Sequence, residues 1–367
     1  MPIEFAINGR FLTQQITGVQ RYARELVQAF DEILDDEPNV RITVLCPRLS
    51  TPLPAWRNVE LRQVGRLQGH IWEQIELPWY ARGETLFCPA NTAPVASLLS
   101  GSPVVVTVHD LSYEYFPDAY HLAFRLWYKF LVPLALRFAS ATITVSESER
   151  KAILSYYPHA APRLHAIANG GLPAGVSCEQ TNLEQPRRDF ILYVGSLSKR
   201  KNFPRIFEVA CRLARERGHH FTFVGGTPKS LVASAINVPN DISSKVIFAG
   251  AVDEFAALVP YYRTAACFLF PSLYESSGLP PIEAMAFGCP VVVSDIPALR
   301  ERCGDAAIYC DPYDVDSIGN AILRVMQDEQ IRSSLRVNGQ RRAASFTWTA
   351  CAQKTLALIS QLAQSPT

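Results

Sequence analysis

The chain has 367 residues, 48% of them apolar and 19% charged, with 35 Lys and Arg against 34 Asp and Glu. That length suggests two domains, and that composition suggests a well-filled globular interior rather than a disordered chain. A net charge of +1 leaves nucleic acid and strongly acidic partners without bulk electrostatic support, so any anion site must be local.

Nine scattered cysteines with no C-x-x-C pair fit a reducing cytosol and argue against a disulfide scaffold or a zinc site. The opening "MPIEFAINGR" has no basic region followed by an apolar core, so no signal peptide is expected. No uncharged apolar run reaches the roughly 18 residues of a membrane span. The expected location is the cytoplasm.

In chain order, the strand "IEFAI" is followed by "TGVQRYARELVQAF". There Val19, Tyr22, Ala23, Leu26, Val27 and Phe30 fall on one helical stripe. Further strands are expected at "ITVLC", "VELRQV", "TLFC", "VVVTV", "ATITV" and "LHAIA". Residues 171–189 are polar, contain Pro173, Gly175 and Pro186, follow neither period, and read as a linker. The second half continues with "FILYV", "FTFVG", "KVIFAG", "CFLF", "VVVSD" and "AIYC". Between the first two lies the helix "NFPRIFEVACRLARERG", with Asn202 as N-cap, Ile206, Phe207, Ala210, Cys211 and Leu213 inward, and Gly218 past its end.

Short apolar strands alternating with helices predict parallel sheets covered on both faces. The expected class is α/β, with two doubly wound Rossmann-like domains facing a central cleft. Residues 1–172 form the first domain, 173–189 the linker and 190–345 the second. Residues 346–367 form a helix packing back toward the first.

Ligands of such sheets gather at the carboxyl ends of the strands. Gly9, His109 with Asp110, Ser146 with Glu147, and Asn169 with Gly170 follow first-half strands. Gly195, Gly225 with Gly226, Gly250, and Ser294 with Asp295 follow second-half strands. Turn chemistry alone also selects these residue types, so the weight falls on residues 271–295, "PSLYESSGLPPIEAMAFGCPVVVSD". Glu275 sits on the loop leaving "CFLF", and Gly278 permits close backbone approach. Pro280 or Pro281 fits the first helical position, Glu283 the first turn, and Gly288 the end. Free N–H groups at that helix start favour a diphosphate, and a carboxylate on each side suits sugar and ribose hydroxyls. The plainer reading makes Glu283 a first-turn carboxylate favoured by the helix dipole and Glu275 a surface charge.

This stretch resembles the E-x7-E segment of retaining glycosyltransferases of family 4, which have the GT-B fold. The match runs through Pro271, Glu275, Gly278, Leu279, Pro280, Glu283, Ala284, Gly288 and Pro290 to Val292. "TGVQRYARELVQAF", "VTVHDL", "ITVSESER", "IANGG", "YVGSLSKRKN" and "VIFAGAVDEFAALVPYYRTAACFLFPS" resemble other family segments in the same order.

The resemblance implies roles residue by residue. Lys201 contacts the donor phosphates, Glu275 the sugar hydroxyls, and Glu283 the ribose. Gly278 and Leu279 offer backbone N–H groups, beside Ser276 and Ser277. Gly18 lies near the phosphates, His109 near the transferring sugar, and Val252 near the nucleobase. Lys201, Glu275 and His109 are thereby the implied catalytic set. As a cleft cation, Lys201 is expected to be removable with little effect on folding. Ser196 departs from the family's Arg, with Arg200 as the candidate replacement, and Ser276-Ser277 departs from its Gly-Phe.

The implied activity is transfer of a hexose, by preference mannose from GDP-mannose, to a saccharide or lipid-linked saccharide in surface polysaccharide (lipopolysaccharide-type) synthesis. No metal or other cofactor is expected: "DPYDVD", residues 311–316, reads as a helix-start loop. Retention by itself points to a carboxylate nucleophile, for which Glu275 is the obvious candidate; the resemblance instead sets Glu275 against the sugar hydroxyls and implies reaction on one face of the sugar, the leaving phosphate assisting the acceptor's proton loss. The rival readings are a non-catalytic sugar-nucleotide binder and a Rossmann dehydrogenase, which lacks its G-x-G-x-x-G here. A phosphorylase of the same fold needs a cofactor lysine and a longer chain. Residues 121–140, "HLAFRLWYKFLVPLALRFAS", carry Arg125, Lys129 and Arg137 among aromatics. They read either as an anionic-membrane-facing helix or as a core helix with a basic edge, interrupted at Pro133. The membrane reading places the protein peripherally at the inner face.

Overall fold

The computed structural model describes residues 3–50, 54–176, 188–226, 237–252 and 254–364. The chain divides into two compact units, Met1–Gly170 with Thr347–Thr367, and Gly171–Phe346.

The first unit contains β1 (Ile3–Asn8), β2 (Val40–Cys46), β3 (Glu60–Gln63), β4 (Thr85–Cys88), β5 (Val104–Thr107), β6 (Ala141–Thr144) and β7 (Leu164–Ala166). They pair in parallel in the order β3-β2-β1-β4-β5-β6-β7. Every residue of β4, β5 and β6 is buried, as a sheet covered on both faces demands. The helix Gly18–Ile33 turns Tyr22, Ala23, Leu26, Val27 and Phe30 inward, the stripe its period predicts. The helix Trp348–Gln364 packs against it within the same unit, and Trp348 meets Tyr22 edge to face at 5.8 Å.

The second unit contains β8 (Arg188–Val194), β9 (His220–Val224), β10 (Val246–Gly250), β11 (Ala265–Phe270), β12 (Val291–Ser294) and β13 (Ala307–Cys310). Their order, again all parallel, is β10-β9-β8-β11-β12-β13. The strand order therefore reverses between β1 and β4 in one sheet and between β8 and β11 in the other. Such a reversal opens a crevice at the carboxyl ends of the two central strands. Beyond β8 and β9 the backbones close tightly: a Cβ on Gly225 would lie 1.9 Å from the Gly195 carbonyl oxygen, so only glycine fits.

Three expectations change. Asn202 precedes the helix Phe203–Glu216, but it sits in the left-handed region (φ 64°) and makes no side-chain cap. Pro133 lies inside an unbroken helix, Leu122–Phe138. Buried Leu131, Val132, Ala135 and Leu136 anchor that helix on both sides of the proline, so packing outweighs the lost backbone bond. Strand β8 begins at Arg188, inside the expected linker, of which residues 177–187 and hence Cys178 lie outside the described residues. The eight described cysteines are all free thiols.

Candidate functional site

In the second unit, β8 and β11 release two segments into the crevice, residues 195–202 and 271–275. Backbone and side-chain bonds stitch them together. Leu273 N–H donates to the Arg200 carbonyl (3.0 Å), and Asn202 Nδ2 donates to the carbonyls of Pro271 (2.9 Å) and Pro312 (2.6 Å). The left-handed turn at Asn202 aims the preceding side chains at the loop. Arg200 Nη1 donates to the Tyr274 carbonyl (3.4 Å), and Lys201 Nζ lies 2.6 Å from Glu275 Oε1. That ammonium also sits 4.7 Å from the centre of the Phe270 ring, a cation–π contact.

The Lys201 and Glu275 side chains are only 13% and 9% exposed, so Lys201 is half of a buried ion pair rather than a free cleft cation. Burial alone raises the Glu275 carboxyl. Lys201 first and Arg200 after it outweigh burial and hold the pKa below the ordinary carboxylate value. Ser196 is exposed, its carbonyl accepting from the Tyr193 hydroxyl at 2.8 Å, and it brings no charge to the turn.

The loop continues through half-buried Ser276 and buried Ser277 to Gly278. Gly278 has φ 74°, and a Cβ there would meet Leu299 Cδ2 at 2.6 Å, so glycine is needed for both conformation and space. The following helix runs Leu279–Ala286 with half-buried Leu279 as its first residue. Glu283 is therefore in the second turn, not the first, and the macrodipole gives no sufficient reason for it. It is buried, and the Tyr262 hydroxyl donates to its Oε2 at 2.8 Å. Tyr262 comes from the helix Phe255–Thr264 and stacks on Phe287. Val252 packs, partly buried, on the apolar cluster that contains Tyr262 and Phe287.

In the first unit, His109 follows β5. Its Nε2 lies 2.8 Å from the Pro89 carbonyl, which only accepts, so Nε2 carries the proton and Nδ1 bears the lone pair. Its backbone N–H donates to Asn91 Oδ1 at 2.7 Å, and Tyr22 packs edge-on at 4.7 Å. Burial lowers the His109 pKa; the Pro89 carbonyl and Asp110 oppose this without cancelling it. The imidazole is thus a neutral hydrogen-bond acceptor at physiological pH. Gly18 opens the helix Gly18–Ile33, is exposed, and has nothing within 4 Å of an added Cβ. No packing demand explains that glycine.

Within the second unit the structure brings Arg200, Lys201 and Glu275 together. Glu283 lies farther along the same chain segment, against Tyr262. Sequence reasoning missed Tyr262, Asn91 and the structural reach of Asn202. Tyr262 carried no signal, because it reads as one more apolar position of a helix. Among the described residues, no group of three His, Cys, Asp or Glu is placed to hold a metal ion. No described helix is long and apolar enough to cross a membrane.

The family described as Glycosyltransferase Family 4 matches residues 16–170, and that described as Glycosyl transferases group 1 matches residues 188–328. O-antigen chain mannosyltransferase B of Escherichia coli is 27% identical over 69% of this chain and 68% of its own length. O-antigen chain mannosyltransferase RfbU of Salmonella typhimurium is 27% identical over 60% of each. The solved sucrose-phosphate synthase from Thermosynechococcus elongatus superposes with a TM-score of 0.74 at 20% identity, covering 99% of both chains. The two doubly wound sheets are thus those of the GT-B fold, and the chain belongs to glycosyltransferase family 4.

Proposed function

We propose that the chain is a retaining hexosyltransferase that moves mannose from GDP-mannose to a saccharide or lipid-linked saccharide acceptor in surface polysaccharide synthesis. The observation that carries this reading is the Lys201–Glu275 pair, with Arg200 beside it, at the strand-order reversal of the second sheet. The names of the relatives point to mannose. As the bond to the diphosphate breaks, negative charge grows on the leaving oxygens. Fixed cations stabilise that charge more than they stabilise the ground state, which is what lowers a barrier. Lys201 and Arg200 supply these cations, together with the N–H groups after Gly278, without a metal ion.

Glu275 orients Lys201 while accepting donor-sugar hydroxyls, and Glu283 takes the ribose. His109 accepts a sugar hydroxyl at Nδ1. The test is a panel of sugar nucleotides, following release of nucleoside diphosphate and the anomeric configuration of the product. GDP-mannose is the expected donor, with retained configuration. Absence of turnover on every donor, or an inverted product, overturns the reading.

The same proposal places the protein at the inner membrane face. Leu122, Leu126, Phe130 and Phe138 are exposed along one helix, and Ile71, Ile75 and Trp79 along a neighbouring segment, joined to it by the His70–Trp127 contact. Lys129 is engaged by Glu114 at 2.8 Å, so its charge is locally offset and the apolar residues carry the contact. Co-sedimentation with anionic and neutral vesicles checks this, and a protein left in the supernatant by both ends it.

A further inference from the structure

We infer that the buried Arg10–Glu73 pair fixes the position and tautomer of the His109 imidazole through the turn at residues 89–92. Arg10, Glu73 and Thr92 are then positioning residues for sugar transfer. This rests on the reading of His109 as a sugar-contacting group.

The argument starts at the strand-order reversal of the first sheet. Asn8 and Arg10 leave β1, and residues 89–92 leave its neighbour β4. Glu73 enters from the helix Gly69–Ile75 and is fully buried, as Arg10 is almost completely. Glu73 Oε1 accepts from Asn8 Nδ2 (2.7 Å) and from the Thr92 hydroxyl (2.9 Å), and lies 3.4 Å from Arg10 Nε. Arg10 Nη2 donates to Thr92 Oγ1 at 3.1 Å. The Thr92 hydroxyl therefore donates to one member of the pair and accepts from the other.

His70 completes the shell. Its Nδ1 lies 3.1 Å from Glu73 Oε2, and its Nε2 lies 3.4 Å from Arg10 Nη1. A guanidinium only donates and a carboxylate only accepts, so the imidazole carries its proton on Nδ1. Trp127 Nε1, 3.2 Å from that same atom, is then a neighbour and not a hydrogen-bond donor to it. Burial raises the Glu73 carboxyl, but Arg10, His70 and Thr92 outweigh it and keep it ionised.

A buried ion pair is weak evidence for stability, since an apolar replacement is often as stable. What this one does is immobilise one end of a four-residue turn. The other residues of that turn grip His109. Asn91, held left-handed at φ 50°, takes the His109 backbone N–H on Oδ1 and gives its own N–H to the Thr107 carbonyl at 2.8 Å. Pro89 takes the imidazole Nε2–H. A shift at Thr92 is thus felt at both groups that decide where Nδ1 points.

The test uses Thr92→Val, which removes the hydroxyl and keeps the shape, and Thr92→Ser, which restores it. On the full chain, 15N spectra report the His109 tautomer, with the His109 signals assigned by their loss in His109→Asn. Turnover is followed with the donor found above. Thr92→Val is expected to move the His109 nitrogens away from the Nε2–H pattern. It is also expected to lower kcat by roughly 10–100-fold, by analogy with the loss of a hydrogen-bond partner that orients a metal-bound His, with KM nearly unchanged. Thr92→Ser should return both. Glu73→Gln carries the same two measurements if the valine variant does not fold. Unchanged His109 signals in whichever variant folds overturn the inference. Wild-type turnover in His109→Asn instead defeats the sugar-contact reading, and the spectra still decide the positioning.

Discussion

Lys201→Ala separates two roles that one ammonium holds at once. Its Nζ is 2.6 Å from Glu275 Oε1 and both side chains are largely buried. Opposite unit charges that close attract by about 6 kcal/mol at an effective dielectric near 20. The desolvation of both groups opposes this. Removing one partner of such a pair typically costs about 3–5 kcal/mol, because the other is left buried and charged. Here Glu275 keeps the nearby charge of Arg200, which helps hold its pKa down, so the lower end, about 3 kcal/mol, is expected. For a domain of this size that corresponds to a Tm fall of roughly 6–12 °C. Turnover should fall separately, by about two to three orders of magnitude, the scale of one preorganised electrostatic partner. The assay is nucleoside diphosphate release at saturating donor, with thermal denaturation in the same buffer. Glu275→Gln supplies the control: in that background Lys201→Ala should cost about 1–3 kcal/mol less stability. Additive losses would refute the ion pair. Lost stability with near wild-type turnover would leave Lys201 a structural counter-ion and pass the electrostatic role to Arg200.

Glu283→Ala should weaken binding of free GDP as well as of the donor, whereas Glu275→Ala should spare free GDP and damage transfer; equal losses in calorimetry contradict the assignment. Tyr262→Phe removes the hydroxyl that fixes Glu283 Oε2, so it should weaken GDP in the same direction and by less. Gly278→Ala should cost about 2–4 kcal/mol in denaturant unfolding, from the left-handed backbone and the Leu299 clash together. Leu299→Ala should relieve only the steric part of that cost. His109 has its pKa lowered by burial, so the unfolded chain binds the proton first as pH falls through about 6.5. Its contribution to stability is complete above that pH and lost between it and the depressed folded value. For the same reason the acid limb of kcat/KM attributable to His109 should lie below pH 6.5, and a limb above that value contradicts a neutral buried imidazole.

The strands were legible because each rests on local pattern. β11, buried at all six positions, reads as an apolar run between turn residues, and the helix Gly18–Ile33 shows its period directly. The candidate residues could be named from the sequence, but the contacts among them could not. Lys201 and Glu275 are 74 residues apart, and no local rule pairs them. Asn202 fits the grammar of an N-cap, yet its amide bridges carbonyls 69 and 110 residues away, and that demand sets the left-handed turn. Pro133 fits the grammar of a break, but buried residues on both sides hold the helix together. The placement of Glu283 failed by one or two residues, because the helix opens at Leu279 rather than at either proline.

The departures from the family pattern bear on the proposed donor site through physics rather than position. An Arg in place of Ser196 would put a cation at the start of the turn after β8. The proposed replacement, Arg200, stands four residues on, where the turn is tied to the 271–275 loop by the Leu273, Tyr274 and Pro271 bonds. Coulomb stabilisation depends on where a charge sits relative to the leaving oxygens and on how rigidly it is held, not on its place in a motif. Arg200 meets the second condition through its backbone as well as its side chain. The change at Ser277 acts differently. A Phe there would present a large apolar wall, whereas serine presents a small polar side chain, so the proposed sugar pocket differs at that point in both size and polarity. In the proposed site, charge is conserved by relocation while sugar recognition is altered by chemistry, so the sugar is the part of the donor for which the family pattern is the weaker guide.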